Sequence, residues 1–236
     1  MLTTPLGTAL DLTPLTQRIR ASELRRFRRQ VEPERRRTIW PKVAGAFGTA
    51  AVIVFLSVYL AEDELELVPW YLLGVTALFV LSWTLLLRAT TREWRSRLRL
   101  ERFASANLLT IDRDVASAEP DWQLDPGEGA STLTLRVRGG AAGAGWAVAT
   151  HSRVDPAPDD GTRVTGSLRL CVDRAARHPD ALSTPPVEGA AVVDGAAIRY
   201  RITEQRALVV FDTMLPLDRP STWKTLTSIR DQFAPG

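Results

Sequence analysis

The sequence predicts a transmembrane helical hairpin followed by a cytoplasmic α+β domain of about five or six strands. Three observations predict this architecture. Two apolar runs without a charged residue lie close together in the first half of the 236-residue chain. Basic residues crowd the outer flanks of these runs, whereas the short link between them is acidic. After residue 107, the helical spacing of apolar residues gives way to the alternation of apolar and polar residues that is typical of strands.

The composition excludes several classes of protein. Hydrophobic residues make up 45% of the chain and charged residues 24%, close to globular averages, so wholesale disorder is excluded. The single cysteine, Cys171, excludes an internal disulfide and any zinc or iron–sulfur site built from several cysteines. Because His151 and His178 are the only histidines, a histidine-rich metal centre is not expected. We expect no metal ion and no cofactor.

Charge is concentrated around the two apolar runs. Residues 1–42 hold ten basic and four acidic side chains, and residues 88–102 hold six arginines and two glutamates. The link between the runs, 62–68, carries four acidic side chains. Arginine clusters also occur in nucleic-acid-binding proteins, but these clusters flank apolar segments, for which a membrane is the simpler explanation. We therefore expect the lipid bilayer as a partner and no nucleic acid.

The two apolar runs, 43–61 and 70–87, predict the transmembrane hairpin, 43–87. As a helix, each run is roughly 28 Å long, about the thickness of the hydrocarbon core of a bilayer. A cleaved signal peptide is not expected for the first run, because about forty residues with many arginines precede it. Since neither run contains an ionisable side chain, a pump or carrier is not expected.

The basic flanks predict the orientation of the hairpin. Positively charged flanks favour the cytoplasmic side, so both termini are expected in the cytoplasm and the acidic link outside. Small residues at a spacing of four in the first run, such as Ala44 and Gly48, permit close helix packing. Packing against the second run of the same chain is favoured, and a homo-oligomer stays an alternative. The residues expected at the membrane interfaces are Trp40, Lys42, Tyr59, Trp70, Tyr71 and Arg88.

The basic N-terminal segment, 1–42, is expected to be partly helical between 13 and 37. Thr13 is the expected N-cap, and Pro14 suits the first helical position. Leu24, Phe27 and Val31 share one side of this helix. Such an apolar side suits a helix in the lipid headgroup layer, and a solvated topology signal is the equal alternative.

A juxtamembrane helix, 88–107, is expected to continue the second span. It contains no Pro or Gly, and Glu93 with Arg97 forms a favourable i,i+4 pair. A narrow stripe is formed by Leu87, Thr91, Trp94 and Leu98. This stripe suits either a short coiled-coil stalk or docking onto the C-terminal domain, because about three turns are too few to prove a coiled coil.

The cytoplasmic α+β domain is predicted at residues 108–236. The strands are expected at 108–113, 132–138, 146–154, 163–173, 197–203 and 207–213, and a final helix at 221–233. Loops are expected at 139–145, 155–161 and 178–189, from their Gly, Pro and Asp content. Cys171 is expected as a half-buried residue on the face of its strand opposite Leu170 and Val172.

No catalytic set is assembled in the sequence. The glycine-rich stretch 139–145 lacks the following helix that a phosphate-binding loop needs. His151, Ser152 and Asp155 are the residue types of a hydrolase triad, but neighbours on a strand point to opposite faces. The acidic stretch 155–160 lacks the spacing and the closing Glu of a calcium loop. We expect no catalytic, cofactor-binding or metal-binding residues.

Three stretches carry a resemblance to known proteins: 102–108 (RFASANL), the strand pair 197–212, and 214–218 (MLPLD). Together they resemble uncharacterised bacterial integral membrane proteins of actinobacterial type, with two helices and a cytoplasmic α+β domain. In such proteins a glycine often follows the Asn, whereas this chain has Leu108, so the tight turn is expected at Asn107. The resemblance implies the topology and adds no site residues.

Two hypotheses for the function follow. The first is a non-catalytic membrane protein whose cytoplasmic domain binds a protein partner or a small ligand at the inner membrane surface. The alternative is a membrane-anchored enzyme that draws acid–base groups from distant positions such as His151, Asp212 and Asp218. A weaker possibility is an accessory subunit of a transporter or secretion complex.

Overall fold

The computed structural model describes residues 2–31, 68–115, 122, 124, 130–140, 145–156, 162–174, 185–193 and 195–233. It confirms the α+β class, with helices and one antiparallel sheet. The helices are α1 (Thr13–Thr16), α2 (Ala21–Val31), α3 (Val68–Ala106) and α4 (Pro220–Phe233). The strands are β1 (Thr110–Val115), β2 (Ala130–Gly139), β3 (Trp146–Pro156), β4 (Thr162–Asp173), β5 (Val187–Val193), β6 (Ala196–Ile202) and β7 (Arg206–Phe211).

The chain divides into two compact units. The sheet unit comprises Met1–Gln17 and Arg99–Gly236, and the helical unit comprises Arg18–Leu98. The N-terminal residues therefore belong to the same unit as the sheet, an assignment that the sequence pattern did not predict. Helix α3 begins in the helical unit and ends in the sheet unit.

Seven described strands form the sheet, in the order β1-β2-β3-β4-β7-β6-β5, and every neighbouring pair is antiparallel. The sequence-based prediction of about five or six strands was therefore too low. The missed strand is β5, whose start lies inside the predicted loop 178–189. Its sequence, VEGAAVV, is short and contains a glycine, so the loop signals around it outweighed its weak alternation.

Helix α4 covers one face of the sheet, which we call the helix-covered face. Trp223, Leu226 and Ile229 of α4 are fully buried against it. The ring centroid of Trp223 lies 4.5 Å from that of Phe103 and 5.8 Å from that of Trp146. The indole Nε1 of Trp223 donates a hydrogen bond to the carbonyl of Leu217, so the polar atom of this ring is satisfied in the core.

The N-terminal residues contribute to the same core. Leu2 and Leu15 are buried in it, and the indole Nε1 of Trp146 donates a hydrogen bond to the Thr3 carbonyl at 2.8 Å. Helix α1 begins at Thr13, but its N-cap is Leu12 and not Thr13 as predicted. Hydrogen bonds from Thr13 instead reach Asp11 and hold the pKa of that carboxyl below its usual value.

Asn107 joins the N-terminal residues to the end of α3. Its Oδ1 accepts a hydrogen bond from the Asp11 amide at 2.6 Å, and its Nδ2 donates to the carbonyls of Asp11 and Phe103 at 2.9 and 2.8 Å. The residue is buried, so these bonds satisfy the side chain where water cannot. They hold the backbone at Asp11 against the end of α3.

The left-handed residue at the end of α3 is Leu108, with φ 55°, so the expectation of this turn at Asn107 was wrong. The amide of Leu109 bonds to the carbonyl of Ala104, and that of Leu108 to Ser105. This is the Schellman pattern, which puts the left-handed residue one position after the helix cap. Leu108 thus stands where glycine is usually preferred.

A bulge in β2 separates two leucines that strict alternation would put on one face. The pairing with β3 shifts between Leu133 and Leu135, which lie opposite His151 and Thr150. Leu135 therefore packs beside the helix-covered core, whereas Leu133 joins a smaller cluster on the other face. The bulge supplies an apolar residue to a face that is otherwise rich in arginine.

In the helical unit, α2 packs on α3 around Trp94. The rings of Phe27 and Trp94 meet edge to face at 6.1 Å, and the guanidinium groups of Arg28 and Arg97 lie 5.4 and 5.3 Å from the Trp94 centroid. The predicted Glu93–Arg97 pair is confirmed at 3.0 Å. Part of the apolar side of α2 thus contacts α3.

Within the described ranges, no helix combines the length and the apolar character that are needed to cross a membrane. The first predicted span, 43–61, lies outside the described residues, as do Trp40, Lys42 and Tyr59. Residues 70–87 form part of α3, which confirms their helical structure. Trp70 and Tyr71 belong to its first turn, and Arg88 is an exposed residue near its middle.

Candidate functional site

The face of the sheet opposite α4, which we call the arginine face, carries most of the polar side chains of the strands. A small apolar cluster lies on it, formed by Trp122, Leu124, Leu133, Ala149, Cys171, Leu208 and Val210. Cys171 is therefore on the face opposite Leu170 and Val172, as predicted, but it is buried and not half-buried. Two cavities open on this face, toward opposite ends of β3 and β4.

The first, the His151 cavity, has a volume of about 250 Å³. Strands β3 and β4 contribute most of its wall because His151 and Ser167 are directly paired in the ladder. The Oγ of Ser167 lies 3.4 Å from the Nδ1 of His151, at hydrogen-bond distance. The lining residues that the structure describes are Leu124, His151, Arg153, Thr165, Gly166, Ser167, Arg169, Arg199, Val210 and Asp212.

His151 is a neutral imidazole at physiological pH. Burial lowers its pKa to about 4, and the charges of Arg169 and Arg153 add to this effect. The residue is only 2% exposed, and Arg169 only 8%, so both belong to the floor of the cavity. A base with so low a pKa removes protons poorly at neutral pH, which argues against general base catalysis by His151.

Arg199 and Asp212 form the more exposed side of the cavity. The Nε of Arg199 donates to the Oδ1 of Asp212 at 3.1 Å, and both side chains are about half exposed. An ion pair this exposed adds little stability, so either partner can turn toward a ligand at small cost. The cavity thus has a buried floor and an adaptable mouth.

The second cavity, the Trp122 cavity, has a volume of about 310 Å³. Arginines line it too, but each has a carboxylate close by. Asp112 bridges Arg136 and Arg138 at 3.1 and 2.9 Å, and Arg206 pairs with Asp173 at 3.2 Å. The other described lining residues are Trp122, Gly139, Gly145, Trp146, Ala147 and Cys171.

The structure brings together two of the three acid–base residues named from the sequence. His151 and Asp212 line the same cavity. Asp218 is not among the lining residues, and its Oδ2 lies 3.7 Å from the Nη1 of Arg99. Ser152 is next to His151 on β3 and points to the opposite face, as expected. His178, Asp159 and Asp160 lie outside the described residues.

Sequence reasoning missed Ser167, Arg169 and Arg199 as site residues. A signal for the first two existed, because alternation in β4 puts them on the same face as Cys171. Their position beside His151, and that of Arg199 across β7, depends on strand order, which no local pattern reports. Within the described ranges, no three His, Cys, Asp or Glu side chains are grouped closely enough to hold a metal ion.

Comparison with known protein families, curated proteins and solved structures finds no match to this chain. The functional conclusion therefore depends on the sequence pattern and on the geometry of the sheet unit.

Proposed function

We propose that this chain is a non-catalytic protein of the cytoplasmic membrane, anchored by the hairpin 43–87, whose sheet unit binds a small ligand or a protein partner at the inner surface. Both termini lie in the cytoplasm in this proposal. The His151 cavity is the ligand site, because its floor is buried and polar while its mouth is open.

The observation that carries the proposal is the shared core of the two ends of the chain. Leu2 and Leu15 pack with Phe103 and Trp223, so residues from before and after the apolar runs occupy one core. Both ends must therefore lie on the same side of any membrane, and the intervening chain must cross it an even number of times. A hairpin of two spans meets this condition, whereas a single span does not.

The exposure of α3 gives further support. Its described side chains include five exposed leucines and one exposed valine around the helix, namely Leu73, Val80, Leu81, Leu85, Leu86 and Leu87. Three consecutive leucines cannot share one face of a helix, so no single packing partner would cover them. A helix that is apolar all round is typical of a lipid environment. The first span, 43–61, lies outside the described residues, and the second span, 70–87, is proposed from its uncharged apolar sequence.

Labelling of single cysteines tests this topology. In a Cys171→Ala background, Glu64→Cys should react with a membrane-impermeant maleimide in intact spheroplasts. Lys224→Cys, at an exposed position of α4, should react only after lysis. Equal labelling of both variants before lysis, or release of the chain from membranes by alkaline carbonate, would overturn the membrane proposal.

A membrane-anchored enzyme is the second candidate, favoured by one observation. Ser167, His151 and Asp212 are the residue types of a hydrolase triad and line one cavity. Asp212, however, pairs with Arg199, and the pKa of His151 is low. A fluorophosphonate probe separates the two candidates: labelling that disappears in Ser167→Ala would favour the enzyme, and no labelling is expected of the binding protein.

A further inference from the structure

We propose that one side of α3 binds the anionic headgroups of the bilayer in which the chain is anchored. This side carries Arg88, Arg92 and Arg95, which we call the α3 arginine stripe. The inference rests on the proposed function, since it requires the second span, 70–87, and it goes further by naming the lipid class and the residues that bind it. It depends on the alignment, exposure, charge balance and direction of the stripe.

The three arginines lie on one side of α3. At 3.6 residues per turn, their spacing of four and three residues confines them to roughly 60° of the helix circumference and spreads them over about 10 Å along the axis. All three residues are exposed. The stripe is therefore a continuous row of positive charge that begins directly after the apolar run 70–87.

Helix α2 packs on a different side of α3. The ring of Phe27 lies 6.1 Å from that of Trp94, and the Nη2 of Arg28 donates to the Thr90 carbonyl at 3.4 Å. Trp94 and Thr90 project at least about 100° away from the stripe around the helix. Among the described residues of the helical unit, α2 therefore leaves the stripe uncovered.

The positive charge of the stripe is not neutralised by the described carboxylates. Among the described residues, the three arginines of the stripe form no ion pair. The nearby Glu93 binds Arg97 at 3.0 Å on another side of the helix. The line of the stripe continues to Arg99, but Arg99 belongs to the sheet unit and lies 3.7 Å from Asp218. The uncompensated charge thus ends where α3 enters the sheet unit.

The direction of the side chains favours contact with lipid. In an α-helix every Cα–Cβ bond is inclined toward the N-terminus, and long side chains follow this inclination. Because the N-terminal half of α3 lies in the bilayer in the proposed topology, the stripe is inclined back toward the headgroups. The headgroup layer is roughly 5–7 Å thick, so even Arg95, about 10 Å beyond Arg88, can return its charge to the lipid surface through its long side chain.

The chemistry of the stripe selects the lipid. Guanidinium groups donate parallel hydrogen bonds to phosphate oxygens, and basic segments next to a membrane span are attracted to anionic lipids. The choline of phosphatidylcholine carries a positive charge that offsets its phosphate, whereas phosphatidylglycerol has a net negative charge. The stripe should therefore prefer phosphatidylglycerol.

Lipid retention by the full-length chain tests the inference. The chain is reconstituted in nanodiscs with equal amounts of phosphatidylcholine and phosphatidylglycerol and then extracted in uncharged detergent, and mass spectrometry quantifies the lipids that stay bound. We expect phosphatidylglycerol to be enriched. Arg92→Gln combined with Arg95→Gln should lower the enrichment by about tenfold or more, since each basic residue near an anionic surface contributes roughly fivefold. Arg88 stays unchanged because it borders the span.

Two control variants separate the stripe from net charge and from helix structure. Arg18→Gln combined with Arg20→Gln removes the same charge from exposed positions before α2, and should change the enrichment less than about twofold. Arg92→Lys combined with Arg95→Lys keeps the charge and should retain most of the enrichment. No enrichment in the unmodified chain, or equal loss in the two Gln double variants, would overturn the inference.

The remaining outcomes distinguish this inference from the proposed function and from another ligand class. Release of the chain by alkaline carbonate would contradict the proposed function, whereas a chain that stays inserted without phosphatidylglycerol enrichment would contradict the lipid inference alone. Binding of duplex DNA by the chain in detergent, if lost in Arg92→Gln combined with Arg95→Gln, would identify a nucleic-acid surface and overturn the lipid inference.

Discussion

Alternate residues of the same strands build two different faces of the sheet. On β4, Leu168, Leu170 and Val172 point into the helix-covered core, whereas Ser167 and Arg169 line a cavity on the arginine face. The first face is sealed by α4, by the end of α3 and by N-terminal residues. Because this one face buries most of the large apolar side chains, the other face can carry buried polar groups such as His151 and Arg169. One side of the sheet therefore carries the main core, and the opposite side carries the cavity of the proposed ligand site.

The largest effect is expected from the centre of the helix-covered face. Trp223→Ala should lower the free energy of unfolding by about 3–5 kcal/mol, because it removes a fully buried ring that contacts Phe103 and Trp146. Chemical denaturation of the full-length chain in detergent, followed by circular dichroism, measures it. Trp223→Phe is the matched control and should cost less. A loss below about 1 kcal/mol would mean that the faces do not divide stability in this way.

The second largest effect is expected on the pH dependence of folding stability, through His151 on the arginine face. Folding lowers the pKa of His151 from 6.5 to about 4, so between these values the unfolded chain binds a proton that the folded chain does not. Stability therefore falls as the pH falls through this window, by up to about 3 kcal/mol.

His151→Gln should remove this part of the acid destabilisation, even if it lowers stability at neutral pH. Thermal unfolding across the same pH range measures the slope, and His178→Gln, which changes the other histidine of the chain, is the control. If both variants keep the slope of the unmodified chain, His151 is not the buried group that sets it.

A smaller effect is expected where the N-terminal residues join the helix-covered face. Asn107→Ala should cost about 2 kcal/mol, because it removes three hydrogen bonds from a buried side chain to the backbone of Asp11 and Phe103. Trypsin should then cleave more rapidly at Arg18 and Arg20. Asn107→Asp keeps the acceptor and loses the donors, so an intermediate result is expected. Unchanged cleavage in Asn107→Ala would show that apolar contacts alone hold this segment.

The smallest expected effect is an increase in folding stability. Leu108 holds a left-handed conformation at φ 55° although its side chain is 58% exposed, so the conformation has a cost and little packing depends on the side chain. Leu108→Gly should raise stability by up to about 1 kcal/mol after allowing for the greater freedom of glycine in the unfolded chain. Leu108→Ala keeps the strain and should give no such gain. Destabilisation by Leu108→Gly would contradict this account of the helix end.

The sequence predicted the regular elements of the sheet unit well wherever a local period was strong. Six of the described strands and the final helix lie close to the predicted ranges, and the long helix after residue 88 is confirmed. The prediction was wrong at β5, where glycine weakens the alternation, and at Leu108, where the left-handed turn falls one residue after Asn107. Leu133 and Leu135 lie on opposite faces because of a bulge, which leaves no mark on the period of one strand.

The candidate site was predicted only in part. His151 and Asp212 were named from the sequence as residues that a fold could bring together, whereas Ser167, Arg169 and Arg199 were not. Arginine is abundant along the whole chain, so no single arginine could be recognised as a site residue from composition. Arg169 and Arg199 are recognised as site residues only because they line the cavity.

By itself, the sequence determined which residues share a side of each element, since the repeat of a strand or helix is written in neighbouring residues. Alternation alone put Cys171 opposite Leu170 and Val172. Only the tertiary structure decided that Ser167 of β4 pairs directly with His151 of β3, and that Leu2 lies in the same core as Trp223. These contacts join residues that are far apart in the chain, and their formation depends on the competition among all possible pairings, which no local period encodes.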